Sequence, residues 1–96
     1  MNIKESWVDS YFSLEKISEV IKSKEQDSVI IQLILHKLVE MALEHPEPIV
    51  RNRCVDILSE RDEKFVIDGL YQVVLQEKSI TIKEKCIPAL VKKIKH

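Results

Sequence analysis

Two cysteines, Cys54 and Cys86, and three histidines, His36, His45 and His96, are the side chains of this sequence most able to act as nucleophile, base or metal ligand. A catalytic thiol needs a nearby base and surroundings that stabilise the thiolate. Both cysteines instead recur in apolar patterns, Cys54 with Val50, Ile57 and Leu58, and Cys86 with Ile82 and Leu90, where a reduced thiol packs as a small hydrophobe. MNIKESWVDSYF at the N-terminus has no long apolar run after its first lysine, so export is not expected, and without export the thiols should stay unpaired. His36 and Glu40 stand four residues apart and share a helical face, but a zinc site needs three or four ligands, and His45 in a turn and His96 at the end do not complete one. The single glycine, Gly69, lies inside a helical pattern and cannot form a glycine-rich phosphate loop. No catalytic, cofactor or metal constellation is predicted, and the expectation is a protein that is not an enzyme.

Positive charge is patterned more regularly. Arg51, Arg53, Lys83 and Lys85 fall at matching places in two similar segments, and Lys92, Lys93 and Lys95 follow. Fifteen basic against sixteen acidic residues leave a net charge of -1, which excludes the global electrostatic footprint of a general nucleic-acid binder but not a local basic surface. Two uses are open for the four cations: docking an acidic protein surface, or ion pairs between neighbouring structural units.

The elements that would position them are helices. Hydrophobic residues make up 45% of the chain and charged residues 32%, which suits an ordered helical domain, and no apolar run is long enough to span a membrane. A cytoplasmic setting is expected. Sliding the sequence by 32 residues pairs 28–59 with 60–91: Leu38 meets Leu70, Leu43 meets Leu75, Cys54 meets Cys86, Leu58 meets Leu90, Arg51 meets Lys83 and Arg53 meets Lys85. In the first unit Asp27 caps a helix whose apolar residues recur at Ile30, Leu33, Ile34, Leu38, Ala42 and Leu43. The His45-Pro46-Glu47-Pro48 turn ends it, and Pro48 suits the first turn of a second helix. In the second unit Asp62 is the expected cap of a helix bearing Phe65, Val66, Leu70, Val74 and Leu75, and Ser79 or Thr81 caps the last one. Gly69 is expected to admit a neighbouring helix and Pro88 to kink its own. Residues 1–26, with Ile3, Trp7, Leu14, Ile17 and Ile21 on one stripe, read as an N-terminal helical cap, broken near Phe12 where Ser13 could start a second helix, and 92–96 as a basic tail.

Residues Leu38 to Leu58, LVEMALEHPEPIVRNRCVDIL, resemble the turn and second helix of a HEAT repeat: Ala42 and Leu43 at a helix end, Pro46, Glu47 and Pro48 in the turn, then Val50, Arg51, Cys54 and Leu58. The second unit departs from that pattern, with no proline in its turn and Lys83 in place of the arginine. The resemblance implies a short right-handed α-solenoid of two antiparallel hairpins, a scaffold whose second-helix face meets a protein partner.

The predicted function is therefore a protein-interaction module, an adaptor or an inhibitor, binding through Arg51, Arg53, Lys83 and Lys85, with a nucleic-acid-binding helical module as the alternative. Ile87 corresponds to Val55 and has no following unit in the register, so Ile87 and Val91 are expected to form an apolar end, covered by a second copy of the chain, by a partner, or by the last turn bending at Pro88.

Overall fold

The computed structural model describes residues 7–23 and 27–95. They form five helices: α1 (Trp7–Lys22), α2 (Ser28–Glu44), α3 (Pro48–Leu58), α4 (Lys64–Gln76) and α5 (Ile80–Ile94), with no strand among the described residues. No described helix is long and apolar enough to cross a membrane.

Short connections fold the helices into two rows. α2 packs on α3 and α4 on α5 as hairpins, α2 lies beside α4, and α3 lies between α1 and α5. The described backbone measures 46 × 36 × 15 Å. Its smallest dimension is that of two helix layers, since helix axes pack about 8–10 Å apart and each Cα cylinder adds a radius of about 2.3 Å.

Local signals set three of the five helix starts. The Asp27 carboxylate accepts a hydrogen bond from the Val29 amide at 2.7 Å, Pro48 opens α3, and the Ser79 hydroxyl accepts from the Ile82 amide at 3.4 Å. Asp62 does not cap α4: the cap position falls to Glu63, without a side-chain cap, and Asp62 instead receives the Lys93 ammonium at 3.1 Å. Nor does α1 break at Phe12. Ser10, Leu14, Ser18 and Ile21, spaced for one helical face, are all buried in a single helix that packs on α3, and with no glycine or proline present nothing favours interruption. Ile3 lies outside the described residues. The basic tail is also revised: α5 carries Lys92 and Lys93 in its last turn, and the Lys93 ammonium, 6% exposed, donates to the Arg61 carbonyl.

The apolar stripe of α2 is turned relative to the expected one. Ile31, Leu35, Leu38 and Ala42 are buried, at the i, i+4, i+7, i+11 spacing of one face, while Ile30 and Leu33 are exposed. On α4, Val66, Gly69, Leu70 and Val73 are buried and Leu75 is exposed. α5 continues through Pro88.

Gly69 marks the closest approach of the two hairpins. No described residue has a positive φ, so backbone freedom does not account for it; a Cβ built there would lie 2.7 Å from Val39 Cγ1. Val39 is β-branched and stiff, so overcrowding, at about 1–3 kcal/mol, outweighs the roughly 1 kcal/mol of helix propensity that alanine adds. Gly69→Ala is expected to lower the melting temperature, and the same change in a Val39→Ala background to raise it. A Gly69→Ala protein as stable as wild type would show that the helices part at no cost.

Candidate partner-binding surface

The four cations of the expected basic surface sit on α3 and α5, and the structure ties three of them to carboxylates. Arg51, at the start of α3, forms a bidentate pair with Glu77 in the α4–α5 turn, at 3.0 Å from Nε to Oε1 and 2.9 Å from Nη2 to Oε2. Its Nη1 also donates to the carbonyls of His45 at 2.8 Å and Pro46 at 3.2 Å. One guanidinium thus joins the turns of both hairpins, with side chains 17% (Arg51) and 4% (Glu77) exposed. Burial alone would raise the Glu77 carboxyl pKa, but the hydrogen bonds from Arg51 and from the Ser79 amide outweigh it and hold the group below its ordinary value.

Arg53 faces the other way along the slab. It pairs in bidentate fashion with Glu15 of α1, at 2.5 and 3.0 Å, and approaches Asp56 at 3.9 Å. Asp56 in turn receives the Lys85 ammonium at 2.7 Å. Glu15, Arg53, Asp56 and Lys85 form an alternating charge chain that crosses α1, α3 and α5. The Arg53 hydrogen bond holds the Glu15 carboxyl below its ordinary range, and Glu15 raises the Arg53 guanidinium in return. Of the two uses open for these cations, ion pairing within the protein accounts for three of them, and of the four Lys83 alone makes no ion pair among the described residues.

The partners Glu15 and Glu77 were not legible from spacing, because Arg51 and Glu77 are 26 residues apart and Arg53 and Glu15 are 38 apart, whereas Asp56 stands three residues after Arg53 on α3. One signal was present. Arg51 and Lys83 are register equivalents, and an arginine suited to a bidentate carboxylate stands where the second unit has lysine.

Four of the exposed apolar residues lie on the flank of α4 and α5 that faces away from α2 and α3, and others lie on α1, α2 and α3. Gly69 meets Val39 of α2, so Tyr71, two residues on and about 200° round the helix, points away from α2. Lys85 reaches Asp56 of α3, so Ile87, about 200° from Lys85, points away from α3. Tyr71, Ile87, Val91 and Ile94 are all exposed, with Ile67 and Val74 half-buried beside them. The contrast with the first unit is direct: Val55 is 0% exposed and its equivalent, Ile87, is 44% exposed. The last turn of α5 does not bend over Ile87 and Val91.

Cys54 and Cys86 are buried and unpaired. Burial pushes the Cys54 thiol up to about 12 and the Cys86 thiol up to about 11, and the Cys86 thiol donates to the Leu70 carbonyl at 3.3 Å. These groups are packed as thiols, the opposite of an activated nucleophile. Neither is expected to react with iodoacetamide at pH 8 in the folded protein, and both to be alkylated rapidly in guanidinium. Rapid stoichiometric labelling of Cys54 without denaturant would contradict this packing. His36 stacks on Phe65 with ring centroids 3.8 Å apart, and Glu40 pairs with Lys37. Among the described residues no three side chains of histidine, cysteine, aspartate or glutamate come together as metal ligands.

No family model, curated protein or solved structure matches this chain.

Proposed function

We propose that this protein is a non-enzymatic, HEAT-like interaction module, a short right-handed α-solenoid that binds a protein partner through the open flank of α4 and α5. The observation that carries this reading is the exposed apolar surface of Tyr71, Ile87, Val91 and Ile94, since the first-unit equivalents of Tyr71 and Ile87 are covered: Val39 meets Gly69 and Val55 is fully buried. Apolar residues are exposed on α1 and α2 as well, at Phe12, Val29, Ile30 and Leu33, but on α4 and α5 they include an aromatic residue and repeat positions that the first unit covers, as at sites that another protein covers. The raised thiols and the absence of a ligand cluster among the described residues offer no support for catalysis.

The second-helix face supports docking less well than the cation pattern alone suggested. Arg51, Arg53 and Lys85 are engaged within the protein, so an acidic partner would have to displace Glu77, Glu15 or Asp56. The same engagement weakens the nucleic-acid reading, because phosphate contacts need cations free to be neutralised.

The test is affinity capture from lysate with nuclease treatment, comparing wild type with Ile87→Glu plus Tyr71→Glu and with Lys92→Glu plus Lys95→Glu. A nuclease-resistant protein partner, retained by the lysine variant and lost from the apolar one, is the expected result. Recovery of nucleic acid, or a partner indifferent to Ile87 and Tyr71, overturns the reading. Arg53→Glu is a poorer probe, since it breaks the charge chain between α1, α3 and α5 and perturbs packing as well as surface.

A further inference from the structure

The contacts between the two hairpins are a template for what the open flank lacks. Where the first unit meets the second, Val39 closes on Gly69 and Arg51 donates to the Glu77 carboxylate in the turn of the following hairpin, while Val55 on α3 is fully buried. In the 32-residue register the equivalents on the second unit are Tyr71, Ile87 and Lys83. Tyr71 and Ile87 are exposed, and Lys83 makes no ion pair among the described residues. Lys83 lies on the Ile87 and Ile94 flank of α5, at i, i+4 and i+11, so the cation and the apolar residues form one surface.

We propose that the occupant of this surface is a helical hairpin of a partner protein whose interhelical turn carries a carboxylate that pairs with Lys83, as Glu77 pairs with Arg51. This rests on the reading of the α4 and α5 flank as the partner-facing surface and adds the chemistry of what sits there. A second copy of this chain fits less well. The copy's α2–α3 hairpin, which carries Glu47 in its turn, has α1 packed against α3 and held there by the Arg53 to Glu15 pair, so its equivalent docking side is occupied. A partner hairpin does not meet this obstacle.

The experiment uses the full-length protein as bait for a displayed library of two-helix hairpins with randomised turn and facing positions. The expected hairpins are enriched in aspartate and glutamate in the turn. They lose all measurable binding to Ile87→Glu and about tenfold or more in affinity for Lys83→Glu, and they regain binding to Lys83→Glu when the turn carboxylate is changed to lysine. Thermal melts establish that each variant folds; should Ile87→Glu fail to fold, Tyr71→Ala takes its place. Hairpins that depend on Ile87 but ignore the charge at position 83 overturn the carboxylate while leaving the partner-facing flank in place. Hairpins indifferent to Ile87, or no hairpins at all, overturn both. Sedimentation equilibrium of the wild type supplies the remaining outcome: a dimer abolished by Ile87→Glu assigns the surface to a second copy and overturns the partner hairpin.

Discussion

Arg51→Ala is expected to cost about 3–5 kcal/mol, the usual cost of breaking a buried ion pair from one side, in a domain whose whole stability is on the order of 5–15 kcal/mol. The loss is large because of what remains. The Glu77 side chain is 4% exposed, and without Arg51 its carboxylate keeps only backbone donors, the Ser79 amide at 3.0 Å and the Lys78 amide. The carbonyls of His45 and Pro46 lose a donor at the same time. Replacing both partners, Arg51→Met with Glu77→Leu, is expected to recover much of the loss, since it removes the buried charge along with its counter-ion. Urea denaturation provides the measurement, read as a shift in midpoint at constant slope. An Arg51→Ala protein within about 1 kcal/mol of wild type would mean that the pair behaves as a solvated surface bridge.

The same pair sets a pH dependence with a definite sign. The Glu77 carboxyl is held below its ordinary value of 4.5 in the folded state, so the folded protein binds that proton more weakly than the unfolded chain does. Its contribution is fully present above about pH 4.5 and is lost as pH falls through the folded value. Glu63, held down by Arg61, moves in the same direction. Glu77→Gln is expected to be less stable than wild type at pH 7 and to show a shallower decline between pH 5 and 3. An unchanged slope would assign the acid sensitivity to other carboxylates.

Leu35→Ala is expected to destabilise by about 2–5 kcal/mol, whereas Leu33→Ala, two residues away on the same helix, should change stability by less than about 0.5 kcal/mol. Leu35 is 0% exposed in the core shared by α2, α3 and α4, and Leu33 is 65% exposed on the outer surface of α2. Chemical denaturation of the two variants side by side checks this. Comparable losses would place Leu33 in the interior and shift the whole α2 stripe.

That pair of leucines shows how far the sequence reached. The stretch from Val29 to Leu35 is apolar at every position but Gln32, so several helical faces are nearly equal in hydrophobicity and periodicity cannot choose among them. The choice belongs to α3 and α4, which cover Ile31, Leu35, Leu38 and Ala42 and leave Ile30 and Leu33 outside. On α3 and α5, where charged residues interrupt the apolar ones, the buried positions Val50, Cys54, Ile57, Leu58, Ile82, Cys86 and Leu90 follow the pattern directly.

Local chemistry by itself determined the helical class, the 32-residue register, the caps at Asp27 and Ser79, the start of α3 at Pro48 and the exposure of Ile87 and Val91. These depend on neighbours a few residues away or on comparison of one unit with the next. Tertiary structure alone decided the fate of the charges. Whether Arg51, Arg53 and Lys85 face solvent or a carboxylate depends on Glu77, Glu15 and Asp56, and all three of those partners lie on other helices or turns tens of residues distant. An ion pair between helices, unlike one within a helix, has no sequence period. It forms where packed helices bring opposite charges within a few ångströms, and the same packing leaves Lys83, at the uncovered flank, without one.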